Sequence, residues 1–271
     1  TVKGVGIKTA DPTMQVVCGG LSYIAEDYLE AMMDWFRTYR KDGKFPADVI
    51  NVHHYCNSSN PPSGPINLVN GSGVSPEEDN LKARLTDLKR WCLKNTPNCD
   101  IWFSEFGYDT VRPSNPILSQ YPKLYGDYNA EDLQSIWLVR TFLEMISADI
   151  DAGFVYNAID EQNAANGNLF ASCGLYTAEY SSKPFAPKPA ASTITLLISD
   201  LNGYTYFRDY STKDVKCYAF KGKNSIKFFF WSPTSNGTKV PITINGKKLT
   251  ATESVQVLKT NGRFPIFKKV R

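Results

Sequence analysis

No stretch of the 271 residues approaches the roughly 20 consecutive apolar residues that cross a membrane as a helix. Histidine is scarce: the chain has two, and they are adjacent, His53 and His54. Its six cysteines (Cys18, Cys56, Cys92, Cys99, Cys173, Cys217) form no CxxC pair, which argues against a zinc ribbon, a redox motif and a dense disulfide framework. Cys92 and Cys99 flank a short turn, where they either bridge or stay two buried thiols. Neither sign of charge dominates. Thirty Lys and Arg against 27 Asp and Glu leave a net charge of +3, scattered apart from short runs such as 267–271, so no basic stripe suits nucleic acid. Gly19-Gly20 reads as a turn, because neither a helix-opening GxGxxG nor a GK[ST] follows it. Repeats and low-complexity tracts are also missing. Three Asn-x-Ser/Thr sequons, at Asn57, Asn70 and Asn236, point toward secretion, although so short a pattern arises readily by chance.

What is present is a 42% hydrophobic chain, long enough for one large domain or a medium one with a small companion. Met14 to Cys18 reads as a buried strand ended by the Gly pair. A helix with Leu29, Met32, Met33 and Phe36 on one face follows over 24–40. Residues 49–53 form a second apolar strand. Ser75, Pro76 and Glu78 have the spacing of a cap, a first helical position and a capping box, with Leu81, Leu85, Leu88 and Trp91 as the buried stripe. Ile101-Trp102-Phe103 is a third strand, and Asn129 caps a third helix running through Ile146. Residues 153–156 make a fourth strand, and Pro189 opens a fourth helix ending near Leu201. Four strand–helix units in series imply parallel strands joined by right-handed crossovers. After Asn202-Gly203 the texture changes. Residues 218–220, 226–231 and 240–244 are strand-like, and Asn-Gly pairs at 236, 245 and 261 mark hairpin turns. The expected division is 1–202 for the α/β part and 203–271 for a small antiparallel β domain. The Phe228–Trp231 run fits a strand packed on the α/β part better than a sugar-binding strip.

The polar residues gather where strands end: His53-His54-Tyr55, then Ser104-Glu105-Phe106-Gly107-Tyr108-Asp109, then Asn157-Ala158-Ile159-Asp160-Glu161. Parallel α/β barrels place their active sites at such ends. Period-two alternation puts His53 and Tyr55 on one side of their strand and His54 on the other, so a metal ion shared by the two histidines and Cys56 is not expected. His54 reads as a core or rim histidine. The plainer reading of Glu105 is a strand-end ion pair, and of Asp160 and Glu161 a solvated loop.

Taken in order, these segments resemble the clan A glycoside hydrolases, the large (β/α)8 group of retaining β-glycosidases. Trp102-Phe103-Ser104-Glu105-Phe106-Gly107 is similar to their strand-seven nucleophile motif, and His53-His54-Tyr55 to the His-x-Tyr of strand six. The run 154–160 looks like strand eight, with Tyr156 where Trp is usual, and Lys188-Pro189-Ala190 resembles the start of the last barrel helix.

The resemblance implies a TIM-barrel α/β fold with strands five to eight present, followed by the β domain. It implies Glu105 as the catalytic nucleophile, Tyr55 as its hydrogen-bond donor, and His53, Tyr156 and Asp160 as substrate-binding residues, with no metal and no cofactor. The implied substrate is a β-linked oligosaccharide or polysaccharide of plant or algal origin, and the implied setting is secreted, periplasmic or cell-surface. The family's acid/base, the Glu of an Asn-Glu pair ending strand four, has no counterpart here. Residues 1–12 read as the tail of helix four running into strand five, so strands one to four are expected before Thr1. Their half of the barrel, or a second copy of this chain, is the implied protein partner. The rival readings are a non-catalytic carbohydrate-binding protein with a degenerate barrel and a flavodoxin-like doubly wound domain.

Overall fold

The computed structural model describes residues 6–60, 71–111, 122–123 and 125–261, and the backbone of 267–269. In chain order the elements are α1 (Ile7–Ala10), α2 (Glu26–Tyr39), β1 (Val49–His53), α3 (Leu81–Asn95), β2 (Asp100–Phe106), α4 (Ala130–Ser147), β3 (Ala152–Val155), α5 (Pro189–Leu201), β4 (Thr205–Asp209), β5 (Lys216–Lys221), β6 (Ser225–Trp231), β7 (Val240–Ile244), β8 (Lys247–Ala251), β9 (Gln256–Asn261) and β10 (Phe267–Lys269).

β1, β2 and β3 form a parallel sheet in that order. Alternation along its strands separates two faces. Ile50, Val52, Ile101 and Phe103 are fully buried against Leu81, Leu85 and Leu88 of α3 and Leu133 and Trp137 of α4. On the opposite face Trp102 and Phe154 pair at 5.5 Å, and Phe154 remains 47% exposed. Parallel strands ordinarily have both faces covered. Here, among the described residues, the helix side is covered throughout, whereas on the other face Val49 and Asn51 of β1 are buried and the β2–β3 part stays partly open.

The expected first strand is a correction. Residues 16–21 do run parallel to β1, but through two isolated bridges, Val17 to Val49 and Leu21 to Val52, and Met14 and Val17 are exposed. Three residues of β1 span the interval that takes four on this segment, so Gly19-Gly20 bulges out of the ladder. The start of α3 is a second correction. Ser75 Oγ does accept from the Glu78 amide (3.1 Å), but Asn80 adopts a left-handed conformation (φ 61°), so 76–80 is a separate turn and the helix begins at Leu81. At α4 the cap is as expected: Asn129 accepts from the Asp132 amide, and the Asp132 side chain accepts in return from the Asn129 amide.

The C-terminal strands make two antiparallel sheets, β4-β5-β6-β9 and β10-β7-β8. Phe228 and Phe230 point between them, among Cys217, Ala219, Ile242 and Ile244. Phe229 and Trp231 point the other way, onto Val139, Leu143 and Leu197 of α4 and α5. The aromatic run therefore serves two cores, not one. Arg140, fully buried on α4, bolts the junction by donating to the carbonyls of Ser232, Thr234 and Glu253 and pairing with Glu77. Asn245-Gly246, both at positive φ, closes the β7–β8 hairpin. Asn236-Gly237 instead lies in the crossover between sheets, since β6 and β7 do not pair. Gly262 lies outside the described residues.

All six cysteines are free thiols, so Cys92 and Cys99 do not bridge, and the Cys99 sulfur sits against the Ala47 carbonyl. Of the sequons, Asn57 is buried with its carbonyl oxygen held by Ser59, Asn236 is exposed, and Asn70 lies outside the described residues. No described helix is long and apolar enough to cross a membrane.

Candidate active site

The site sits at the C-terminal ends of β1, β2 and β3. Their register makes it. Val52 pairs with Phe103, but His53 pairs with Glu105, so β2 carries one extra residue at Ser104. On its other edge β2 runs from Phe103 to Phe106 while β3 advances only from Gly153 to Val155. This bulge re-aims the end of β2 and sets the Glu105 side chain beside His53 and Tyr55.

Glu105 Oε2 accepts from the Tyr55 hydroxyl at 3.2 Å and lies 3.4 Å from His53 Nδ1. Its side chain is 35% exposed. Oε1 takes no hydrogen bond among the described residues. Tyr55 is buried, and that burial, with Cys173 and the Glu105 carboxylate nearby, pushes its pKa well above the ordinary tyrosine value. It is therefore a permanent donor. The His53 ring is fixed from behind: a Cβ on Gly20 would stand 2.2 Å from His53 Nε2, so the bulged Gly pair is what lets the imidazole sit there. Gly107 has a similar role, since a Cβ would meet the Tyr156 carbonyl at 2.3 Å.

Tyr156 directly follows β3 and is joined by a cis peptide bond to Asn157, and burial, then Glu161 and Glu105, raise the pKa of its phenol. The Phe170 ring stands 4.6 Å from Tyr55 and 6.2 Å from Tyr156. The structure thus brings Glu105, Tyr55 and His53 into direct contact and Tyr156 into their neighbourhood.

Asp160 is placed differently. Its Oδ1 accepts from Lys188 Nζ (2.7 Å) and the Gly174 amide (2.8 Å), with its side chain only 8% exposed. Burial raises its pKa and Lys188 opposes that shift. Lys188 also donates to Thr110 Oγ1 and the Ser172 carbonyl. Neither Lys188 nor Asp109 was singled out for a role from sequence. Asp109, 3% exposed, accepts from the amides of Phe170 and Ser172 and from Ser172 Oγ, and so organises the loop after β3. The available signal was its place in the run after Glu105, where a carboxylate next to Gly-Tyr suggests a turn.

His54, Cys56 and Asp79 form the one buried trio of metal-ligand type among the described residues. Its chemistry argues against an ion. Asp79 already accepts from His54 Nε2 (2.6 Å), the Asn57 amide and Asn60 Nδ2, the Arg84 guanidinium is 3.5 Å away, and burial pushes the Cys56 thiol far up, against the thiolate a metal needs. It is a hydrogen-bond network that fixes the back of β1.

No family model and no curated protein matches this sequence. Solved structures do. A family 39 glycoside hydrolase from the gut symbiont Bacteroides cellulosilyticus WH2 superposes over 94% of this chain and 52% of its own, at 16% identity and a TM-score of 0.65. A β-porphyranase of glycoside hydrolase family 86 from the human gut bacterium Bacteroides plebeius covers 98% of this chain and 47% of its own, at 13% identity and a TM-score of 0.49. The chain spans about half the length of these solved chains. The likeness to the first is one of fold: these residues have the fold of a clan A glycoside hydrolase of the TIM-barrel type over about half of that fold, with a small antiparallel β unit attached. Among the described residues helices pack on one face of the β1–β3 sheet, which does not support the flavodoxin-like doubly wound alternative.

Proposed function

We propose that this chain is the nucleophile-bearing half of a retaining glycoside hydrolase acting on a β-linked glycan. The observation that carries the reading is the Glu105 carboxylate, held through Oε2 by the Tyr55 hydroxyl and His53 while Oε1 stays open at the strand ends. The named substrates of fold-level neighbours, a porphyranase and an endo-β1,6-glucanase among them, agree with a β-linked glycan.

In the first step Oε1 of Glu105 attacks the anomeric carbon, the bond to the leaving oxygen breaks, and that oxygen takes a proton from an acid. In the second step water attacks the glycosyl-enzyme, gives its proton to the same group, and frees Glu105. Tyr55 donates to the oxygen that does not attack, which orients the carboxylate. Tyr156 supplies an aromatic floor for the sugar.

Retention needs a second carboxyl group about 5 Å from the first. The segments outside the described residues contain no Asp or Glu. Of the nearby acids, Asp109 is saturated by three donors and Asp160 is tied to Lys188. Glu161, exposed and with no side-chain hydrogen bond among the described residues, flanks Tyr156 on the loop after β3. We therefore assign the acid/base to a second half-barrel that covers the open face of Trp102 and Phe154. A glycan substrate would set the protein outside the cytoplasm, secreted, periplasmic or at the cell surface.

The test uses dinitrophenyl glycosides, whose leaving group needs no acid. The 271-residue chain should release one equivalent of dinitrophenol and then stall, because no base activates water. Azide should restore turnover and give the β-glycosyl azide. Sustained hydrolysis without azide would place the acid/base in this chain, with Glu161 the first residue to substitute.

A further inference from the structure

Phe170 is a bulky residue at φ 64°, a left-handed backbone that favours glycine. A buried carboxylate holds it there: Asp109 Oδ2 accepts from the Phe170 amide at 2.8 Å, and Oδ1 accepts from the Ser172 amide at 2.9 Å and Ser172 Oγ at 3.0 Å. The ring is only partly buried. It covers Tyr55, the donor to Glu105, and meets Tyr156 at 76°, so Phe170 and Tyr156 form a corner of two aromatic surfaces. Ordinary core packing would not require an unfavourable backbone for a side chain left partly in solvent.

We propose that Phe170 is a substrate-contacting residue of this site: its ring forms the side wall against which the apolar C–H face of a pyranose rests when the sugar lies on Tyr156 beside Glu105, and Asp109 is its positioning residue. The inference rests on the glycan-hydrolase reading and deepens it by naming the surface that selects the ring. Pockets for such ligands are lined by aromatic groups with a few polar anchors, and Glu105, Tyr55 and His53 are the anchors here.

The test is calorimetric titration of the 271-residue chain with a panel of neutral β-linked oligosaccharides, with melting temperatures recorded alongside. Phe170→Gly suits the left-handed backbone, so it removes the ring without adding strain. It should weaken the best oligosaccharide about tenfold or more while the melting temperature holds. Phe170→Leu, which keeps bulk but not the flat face, should weaken binding as well, and Phe170→Tyr should bind like the unmodified protein. Asp109→Ala should weaken binding in the parent but add nothing in the Phe170→Gly background, because it acts through that ring. Unchanged affinity in Phe170→Gly, or a large fall in melting temperature with affinity retained, would make the ring a packing group and overturn the proposal. Failure of the unmodified chain to bind any oligosaccharide would instead overturn the glycan reading, and the inference with it.

Discussion

Two carboxylates leave neighbouring strand ends in this fold, and their surroundings are opposite. Glu105 meets a phenol and an imidazole, with a third of its side chain in solvent. Asp160 meets an ammonium and a backbone amide, and is nearly sealed. A cation at 2.7 Å would hold a nucleophile's charge back and block its approach, whereas a neutral phenol orients the carboxylate and leaves one oxygen to react. On the proposed function, the comparison makes Glu105 the chemical acid and Asp160 the structural one, without reference to which motif each belongs to.

Breaking the chemical side should give the largest effect. Glu105→Gln should abolish the dinitrophenol burst, a loss of at least about three orders of magnitude, since covalent catalysis goes with the carboxylate. A burst of normal size would show that another group is the nucleophile. Next, the chain alone should leave unactivated glycans essentially unhydrolysed, because a general acid contributes about 10²–10⁴-fold. Product analysis after prolonged incubation measures this, and steady oligosaccharide release would contradict it.

On the structural side, Lys188→Ala should destabilise the fold by roughly 3–5 kcal/mol, by stranding a buried carboxylate, while the burst per folded molecule stays near normal. Urea denaturation reads the first quantity and stopped-flow absorbance the second. A loss of burst without a loss of stability would move Asp160 and Lys188 into the chemistry. Tyr55→Phe sharpens the contrast from within the site: the burst rate should fall about tenfold as the carboxylate loses the donor that orients it, with the melting temperature held. An unchanged burst rate would leave Tyr55 as packing.

A third buried acid extends the comparison beyond the site. Glu144 on α4 accepts from Tyr218 on β5, and burial, opposed by Lys216, raises its pKa to about 7. With the folded value above the unfolded one, its stabilising contribution is present below about pH 4.5 and is lost as pH rises through 7. The loss is at most about 3 kcal/mol. Glu144→Gln should flatten the stability–pH curve over that window, and an unchanged slope would assign the dependence to other groups.

Much of this was legible in the sequence, for identifiable reasons. The helices over 26–39, 130–147 and 189–201 announced themselves through apolar periodicity, the Asn129 cap and Pro189. Glu105, His53 and Tyr55 were readable together because alternation puts residues 53 and 55 on one side of their strand. Their contact with Glu105 depends on the bulge at Ser104, which no local pattern encodes. The first strand was over-read: Val16 and Val17 look buried, yet nothing described covers their outer side. Asp160 read as a substrate ligand because its partner, Lys188, lies 28 residues away across the loop after β3. Phe170 gave no signal at all, since its role depends on a backbone angle and on a carboxylate 61 residues earlier.

The most direct test of the central claim is to trap the covalent intermediate. A panel of 2-deoxy-2-fluoro glycosides bearing dinitrophenyl leaving groups is incubated with the 271-residue chain, followed by intact mass measurement and peptide mapping. The account predicts one added fluoroglycosyl unit, on the peptide containing Glu105 and on that carboxylate. Labelling at Asp160, Glu161 or any other acid, with Glu105 left unmodified, would contradict it.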